Sequence, residues 1–429
     1  MKTVMWLSLI ISFRFLGLFL VMPLISLYAI SLGHESGILI GLAVGGYALV
    51  QMFLQYPFGK LSDTYGRKKI IFIGLVLFAI GSIICGLSTD IYTLILGRFL
   101  QGAGAISSTV TAFISDLISE EKRSRAMAVV GASIGLSFII SLMAGPMIGG
   151  AFGIHSLFFI TATLAVAGII ILFTKIPNPT KITHLTQSTG VKEIFKHKDL
   201  MMLNFSMFFH SIVMTSTFFM IPLVLTDTFG WAKEDLFMVF IPSVVAGIIA
   251  MGMGVMLGEK RGVVKGVFLV GIAILTSAYA LITYTDSERM FILAVVLIFM
   301  GINAIEPIIQ STATKFAKSH IRGSALGVFN SFQFFGVFVG GIIAGVLTKT
   351  VGYHGLTNFV FILGFFWFIF TIFTNNPPHL ASLFVEKIND DIKSSDGIIE
   401  IYFNEDIKKY VIKFDKRIVS QEEIESRLS

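Results

Sequence analysis

The sequence predicts an all-α membrane protein of twelve spanning helices in two pseudo-symmetric six-helix halves, followed by a small soluble α+β module. Three features carry that expectation. Of the 429 residues, 55% are hydrophobic and only 14% charged, with 42 Phe, a balance outside that of water-soluble domains. Apolar runs long enough to cross a bilayer, about 20 residues each, recur along the chain. The same landmarks also return at one constant offset: Pro23 with Pro222, Gly59 with Gly258, and Arg123 with Arg322.

In chain order, the first half (1–174) holds runs at 4–32, 36–58, 70–88, 91–117, 126–150 and 156–174. Its first run is too long for a signal-peptide core and contains Arg14, so it reads as an uncleaved anchor. A polar, basic linker follows at 175–199, in which VKEIFKHK predicts a short surface helix. The second half (200–376) holds runs at 200–225, 235–257, 266–284, 290–314, 324–348 and 355–374. A duplicated six-helix unit is the pattern of transporters whose site lies between the repeats, near the bilayer midplane.

Lys and Arg accumulate on the cytoplasmic side of short loops. Here the loops after odd-numbered spans carry only Lys233, Arg289 and Lys349, and the remaining basic residues lie at Lys2, near the other ends of the spans, or in the terminal module, save those within spans. Both termini are therefore expected in the cytoplasm. The net charge of +6 follows from that asymmetry and requires no nucleic-acid partner. The single cysteine, Cys85, sits in an apolar run, which leaves neither a disulfide framework nor a thiolate metal site.

At Asn375-Asn376-Pro377-Pro378 the composition turns soluble, which opens a cytoplasmic module at 379–429. The spacing of Leu383, Phe384, Ile388 and Ile392 predicts a helix closed by Gly397, so the module shows no first strand in its pattern. IIEIYF and KYVIKFD predict a hairpin turned at Asn404-Glu405-Asp406. Ser420 with Glu423 forms a capping box for a last helix.

Between spans 2 and 3, Gly59-x-Leu61-Ser62-Asp63-x-x-Gly66-Arg67-Lys68 resembles the loop signature, motif A, of the major facilitator superfamily. Arg98-x-x-Gln101-Gly102-x-Gly104-Ala105 in span 4 is similar to its motif B. Gly145-Pro146-x-x-Gly149-Gly150 in span 5 is similar to motif C of the drug:proton antiporter branch. With FRFLGLFLVMPLISLYA in span 1 and the terminal module, the chain resembles the YajR-like transporters of bacterial inner membranes, whose soluble domain is ferredoxin-like. Thr64 stands where motif A usually has Arg, and Ser141 where motif C usually begins with Gly.

The resemblance implies a monomeric, multi-pass inner-membrane carrier that moves a small-molecule substrate against protons, with the proton gradient as energy source and no cofactor or metal. Its expected activity is export of amphipathic or drug-like molecules by alternating access. A carrier of one specific metabolite, or a membrane sensor signalling through the module, is the alternative reading. No nucleophile with a base, phosphate loop or metal-ligand spacing suggests an enzyme.

Particular residues follow from physical chemistry. Gly59 and Gly66 permit tight turns and close backbone approach, and Asp63 is placed to face the N-terminus of span 11, where a carboxylate is stabilised. Arg67 is expected to pair with Asp116, a role the resemblance supports, and with Lys68 these residues form a conformational latch between the halves. Glu306 lies mid-span, where a carboxylate marks function, and Asn303, Glu306 and Gln310 share one helical face. Arg14 and His210 join Glu306 as proton-coupling candidates, and the motif B resemblance implies the same part for Arg98. Tyr47, Gln51, Gln101, Asn330 and Gln333, with Asn303 and Gln310, are cavity-lining candidates. Gly145, Pro146, Gly149 and Gly150, with Gly131 and Gly135, are expected to make a tight seam between span 5 and the Gly-rich span 8.

Overall fold

The computed structural model describes residues 2–33, 36–118, 120–177, 191–260, 262–316, 322–375, 380–388, 396–404, 409–416 and 418–428. Span 1 is α1 (Lys2–Val21) and α2 (Ile25–Ser31), interrupted beside Pro23. Spans 2 and 3 are α3 (Gly37–Tyr65) and α4 (Arg67–Leu87), and span 4 is α5 (Ile91–Ala103) plus α6 (Ser107–Leu117). Spans 5 and 6 are α7 (Glu120–Phe152) and α8 (Ile154–Lys175). The linker contributes α9 (Val191–Lys196), which buries Ile194 against Leu200 and Ala325.

The second half repeats the plan. Span 7 is α10 (Lys198–Leu223), running through Pro222 into a π turn at Val224–Thr228. Spans 8, 9 and 10 are α11 (Phe237–Val255), α12 (Val264–Thr283) and α13 (Glu288–Phe316). Spans 11 and 12 form α14 (Arg322–Ile372), bent at Gly352. Among the described residues, ten helices are individually long and apolar enough to cross a membrane. The divided α5–α6 and the doubled α14 bring the spans to the twelve expected.

Backbone geometry repeats at the sequence offset. Gly153, with φ of +79°, is the whole turn between α7 and α8, and Gly352, with φ of +78°, is the turn inside α14. Only glycine adopts this left-handed conformation without cost, so both halves solve the same reversal with the same residue.

Core clusters show how the halves meet. Near the turns at Gly33, Gly153 and Gly352, here called the far end, one apolar core takes residues from both halves, including Leu24, Ile40, Leu94, Phe219, Phe240 and Ile298. At the opposite, basic end, which carries Gly66, the cores are separate. Leu7, Ile71, Phe113 and Leu172 pack within the first half, and Met207, Ile272, Ile309 and Trp367 within the second. The bundle is joined at the far end and parted at the basic end.

What joins it is a run of glycines outside the three sequence motifs. A Cβ on Gly37, Gly41 or Gly45 of α3 would lie 2.4, 2.6 or 2.9 Å from the backbone oxygens of Gly345, Gly341 or Val337 in α14. Close approach of small residues is the main packing device available in lipid, where the hydrophobic effect does not drive helices together. The spacings Gly37-xxx-Gly41-xxx-Gly45 and Gly341-xxx-Gly345 are the signal that marks such a seam.

Span 5 does meet span 8, with α7 packed against α11 and the turn that opens span 8, but most of the motif glycines lie elsewhere. Gly145 sits on α1, where a Cβ would lie 2.4 Å from the Leu20 carbonyl oxygen, and Gly149 packs on Leu24 and Leu157. Gly150 does meet the second half, at Glu234, but Gly131 and Gly135 face open space. Gly247 and Gly254 of α11 accommodate Asn303, Phe299 and Ala304 of α13 instead. The glycines chiefly tighten each half internally, span 5 on span 1 and span 8 on span 10.

The terminal module forms a three-stranded antiparallel sheet of β1 (Leu380–Val385), β2 (Ile398–Asn404) and β3 (Lys409–Asp415) in the order β1-β3-β2, followed by α15 (Gln421–Leu428). The predicted helix over Leu383 and Phe384 is therefore a strand: β1 pairs with β3 from Leu380↔Asp415 to Val385↔Tyr410. Apolar residues at 383, 384 and 388 fit a helix face, but Leu383 is claimed by a sheet core with Ile412, Phe414, Val419 and Ile424. Because β3 is antiparallel to both neighbours, β1 and β2 run parallel with β3 between them, the split βαβ order of ferredoxin-like sheets. Gly397, with φ of +88°, turns the chain into β2. The Ser420 hydroxyl caps α15 by accepting the Glu423 N–H at 3.2 Å. Ile392 and the turn at Glu405-Asp406 lie outside the described residues.

Candidate functional site

Motif A closes the basic end of the first half. Gly66 has φ of +98°, which lets α3 turn into α4 with no loop. Arg67 opens α4, is nearly buried, and donates from Nε to Asp116 Oδ2 at 2.9 Å and from Nη1 to Ser62 Oγ at 2.6 Å. Ser62 in turn donates to the Gly59 carbonyl at 2.6 Å. Lys68 donates to the Ile176 carbonyl at 2.9 Å and lies over the Phe173 ring. Asp63 pairs with Arg67 and keeps its side chain 51% exposed. It makes no hydrogen bond to span 11 among the described residues, which agrees with the parting of the halves at that end. A Cβ added to Gly59 would meet only Ser108, at 3.6 Å, so this conformation does not require glycine there.

Motif B builds a polar core inside the first half. Arg98 is buried, donating from Nε to Ala43 O at 3.0 Å, from Nη2 to Val44 O at 3.1 Å and from Nη1 to Gln101 Oε1 at 2.7 Å. Its guanidinium lies 4.4 Å from the centre of the Tyr47 ring. Gln101 passes the chain on to Ser82 Oγ at 2.9 Å. Gly102 makes this possible, since a Cβ there would collide with Tyr47 backbone.

Arg14 lies in the same half, wholly buried, with Nη2 donating to Gln51 Oε1 at 2.9 Å and Nη1 to Ser107 Oγ at 3.4 Å. Phe15 and Phe78 each lie 5.5 Å from the guanidinium carbon. Tyr47, Gln51 and Gln101, expected to line a cavity, do not; all three are enclosed. The reason is electrostatic: two guanidiniums within one half need these neutral acceptors and ring faces more than a substrate path does.

The second half places its titratable pair on α10 and α13. His210 is fully buried, with Nε2 at 3.3 Å from the Ile302 carbonyl and its ring edge-on to Trp367. Glu306 lies within electrostatic reach of His210, is half-buried, and makes no hydrogen bond or ion pair among the described residues. Asn303 on the same face donates to its own helix, at Phe299 O, 2.8 Å away. Gln310 is exposed, whereas Asn330 and Gln333 on α14 are half-buried. The halves touch midway through the Phe138 and Phe218 rings, 5.9 Å apart.

Among the described residues no group of three or more His, Cys, Asp or Glu is placed to hold a metal ion. Two six-helix halves, joined at one end and parted at the other, each hold ionisable side chains in their interior. The family model of the Major Facilitator Superfamily matches residues 7–341 and again 253–412. The chain belongs to the major facilitator superfamily. It is similar to the inner membrane transport protein YajR of Escherichia coli, at 32% identity over 98% of this chain and 95% of that protein. It is also similar to multidrug resistance protein 1 of Bacillus subtilis, at 29% identity over 78% of this chain and 86% of that one. Among solved structures, a bacterial homologue of the human lysosomal transporter Spinster, crystallised in an inward-facing and occupied conformation, matches with a TM-score of 0.71 at 16% identity, covering 86% of this chain and 95% of that one. The chain is a superfamily transporter and a multi-pass membrane protein, not an enzyme.

Proposed function

We propose that this transporter exports small amphipathic or drug-like molecules across a bacterial inner membrane in exchange for protons. The observation that carries the reading is Glu306, a half-buried carboxylate midway along α13 with no hydrogen bond or ion pair among the described residues and with His210 within electrostatic reach. A charge in that position is costly unless it is used. Protonation removes the charge, so proton binding there is linked to whatever the other half of the cycle places beside it. Relatedness to a multidrug resistance protein supports the substrate class.

With both termini cytoplasmic, the basic end faces the cytoplasm, and this conformation is open inward and sealed outward by the α3–α14 glycines. Motif A then acts as the inner latch: Asp63, paired here with Arg67 and half exposed, engages span 11 when the inner side closes. One charge crossing 100 mV releases about 2.3 kcal/mol, enough to tip a two-state equilibrium by more than tenfold.

Everted vesicles carrying the protein test the reading, with a ΔpH dye and a panel of lipophilic cations and amphipathic acids. Addition of a transported compound should release protons in the wild type and not in Glu306→Gln. If no compound moves protons in either, export coupled to protons is wrong, and a carrier of one metabolite replaces it.

A further inference from the structure

The interior of the first half holds two guanidiniums and, among the described residues, no carboxylate paired with either. They differ in how well neutral groups satisfy them. Arg98 spends Nε, Nη1 and Nη2 on Ala43, Gln101 and Val44. Arg14 does not: its Nε has no hydrogen-bond partner, and neither does Nε2 of Gln51, the side chain it binds. Both residues are 0% exposed, so water cannot meet the need from bulk. Phe15 and Phe78 flank the guanidinium, and Gln51 and Ser107 take its two Nη groups. The in-plane edge at Nε is what is left.

A second donor set lies beside it. Span 4 breaks over Gly104, Ala105 and Ile106, and α6 restarts inside the bundle at Ser107 without a side-chain cap. The first turn of a helix presents unbonded N–H groups and the positive end of its dipole. Ser107, the first residue of that turn, is the one that Arg14 touches. The unpartnered atoms of Arg14 and Gln51 are therefore donors, and the net charge beside them is positive; the unpartnered acceptor of the neighbourhood, Gln55 Oε1, lies one turn further along α3. Half-helix N-termini within discontinuous membrane helices are where transporters hold anionic groups.

We propose that Arg14, Gln51 and the N-terminus of α6 bind one anionic group, a carboxylate or a halide-sized anion, inside the first half. The enclosure limits the occupant to a small ion or to the charged end of a longer molecule that enters as α1, α3 and α6 part. Arg98 is not part of the site, because its donors are already used. The two sources of such a group differ in consequence: a small ion would be resident and structural, whereas a substrate carboxylate would make the transported molecules organic acids. The site does not depend on proton coupling or on the direction of transport.

The test uses the purified full-length protein and its sole cysteine. Cys85 is fully buried, so its reaction with a thiol-activated dye reports unfolding. Unfolding temperature is measured while chloride or acetate replaces gluconate at constant ionic strength, gluconate being too bulky for an enclosed site. A saturable rise with chloride alone identifies a resident ion, and a rise with acetate, extended by longer acids, identifies a substrate carboxylate. Gln51→Leu should weaken the apparent affinity by about tenfold, as loss of a hydrogen bond to a charged group does, and Arg14→Gln should abolish the rise. Lys233→Gln, at an exposed side chain of the second half, should leave it intact. Identical unfolding temperatures in all three anions, or a rise that Gln51→Leu leaves unchanged, would overturn the proposal, and the second criterion holds even if Arg14→Gln does not fold.

Discussion

Gly41→Ala should unseal the far end of the bundle. A Cβ at that position would lie 2.6 Å from both the Gly341 carbonyl oxygen and the Ile342 Cα, and both are backbone atoms that no rotamer change can move aside. Ordinary contacts begin near 3.4 Å, so α3 and α14 must separate by roughly 1 Å, the scale of overpacking that costs about 1–3 kcal/mol. The cost falls only on the state in which these helices touch. The equilibrium should therefore move toward the outward-open state by about 5- to 150-fold. Ser26 offers a reporter, being fully buried on α2 with its hydroxyl donating to the Phe219 carbonyl across the halves at 3.2 Å. In a Cys85→Ser background, Ser26→Cys should react slowly with a membrane-impermeant maleimide added from the far side. Gly41→Ala should speed that reaction by the same factor. An unchanged rate, with unchanged transport, would refute the claim that the glycine seam holds the far end shut.

Three further outcomes are expected. Asp116→Asn should lower stability by about 1.5–3 kcal/mol, because Arg67 is nearly buried and loses a charged hydrogen bond, whereas Asp63→Asn, at a 51% exposed carboxylate, should cost under about 1 kcal/mol; equal effects in thermal unfolding would contradict the geometry. Gly153→Ala and Gly352→Ala should each destabilise by about 1–2 kcal/mol, since both hold left-handed φ, and a large difference between them would argue against equivalent turns. Asp90 caps α5 through Thr93 and Tyr92, and the Thr93 hydrogen bonds above all hold its carboxyl below the usual range. A depressed carboxyl stabilises the fold above its unfolded pKa of about 3.9 and loses that contribution as pH falls through the folded value. The gap in unfolding temperature between wild type and Asp90→Ala should thus be present at neutral pH and close in acid, and a pH-independent gap would count against it.

The spans are legible in the sequence because hydrophobicity and length decide them with no help from tertiary contacts. Where sequence and structure part, a competing contact is responsible. Leu383 and Phe384 satisfy a helical spacing, yet strand pairing with β3, remote in sequence, decides their conformation. The break in span 4 is hidden because Gly104, Ala105 and Ile106 are apolar and leave the hydropathy unbroken. Motif glycines 145 and 149, on α7, pack within the first half, while the joining contact comes from the plain four-residue spacing at Gly37, Gly41 and Gly45. The expected pair of Arg67 with Asp116 is present in the structure. The enclosure of Tyr47, Gln51 and Gln101 is not legible, since it depends on which helices face one another, for Tyr47 including α14 of the other half.

Proton coupling through Glu306 is most directly tested in proteoliposomes, by following exchange of a transported compound with and without an imposed pH gradient. The wild type should concentrate the compound when the gradient is present and merely equilibrate it when the gradient is collapsed. Glu306→Gln should still equilibrate the compound but gain nothing from the gradient. Gradient-driven accumulation that survives in Glu306→Gln would contradict the account.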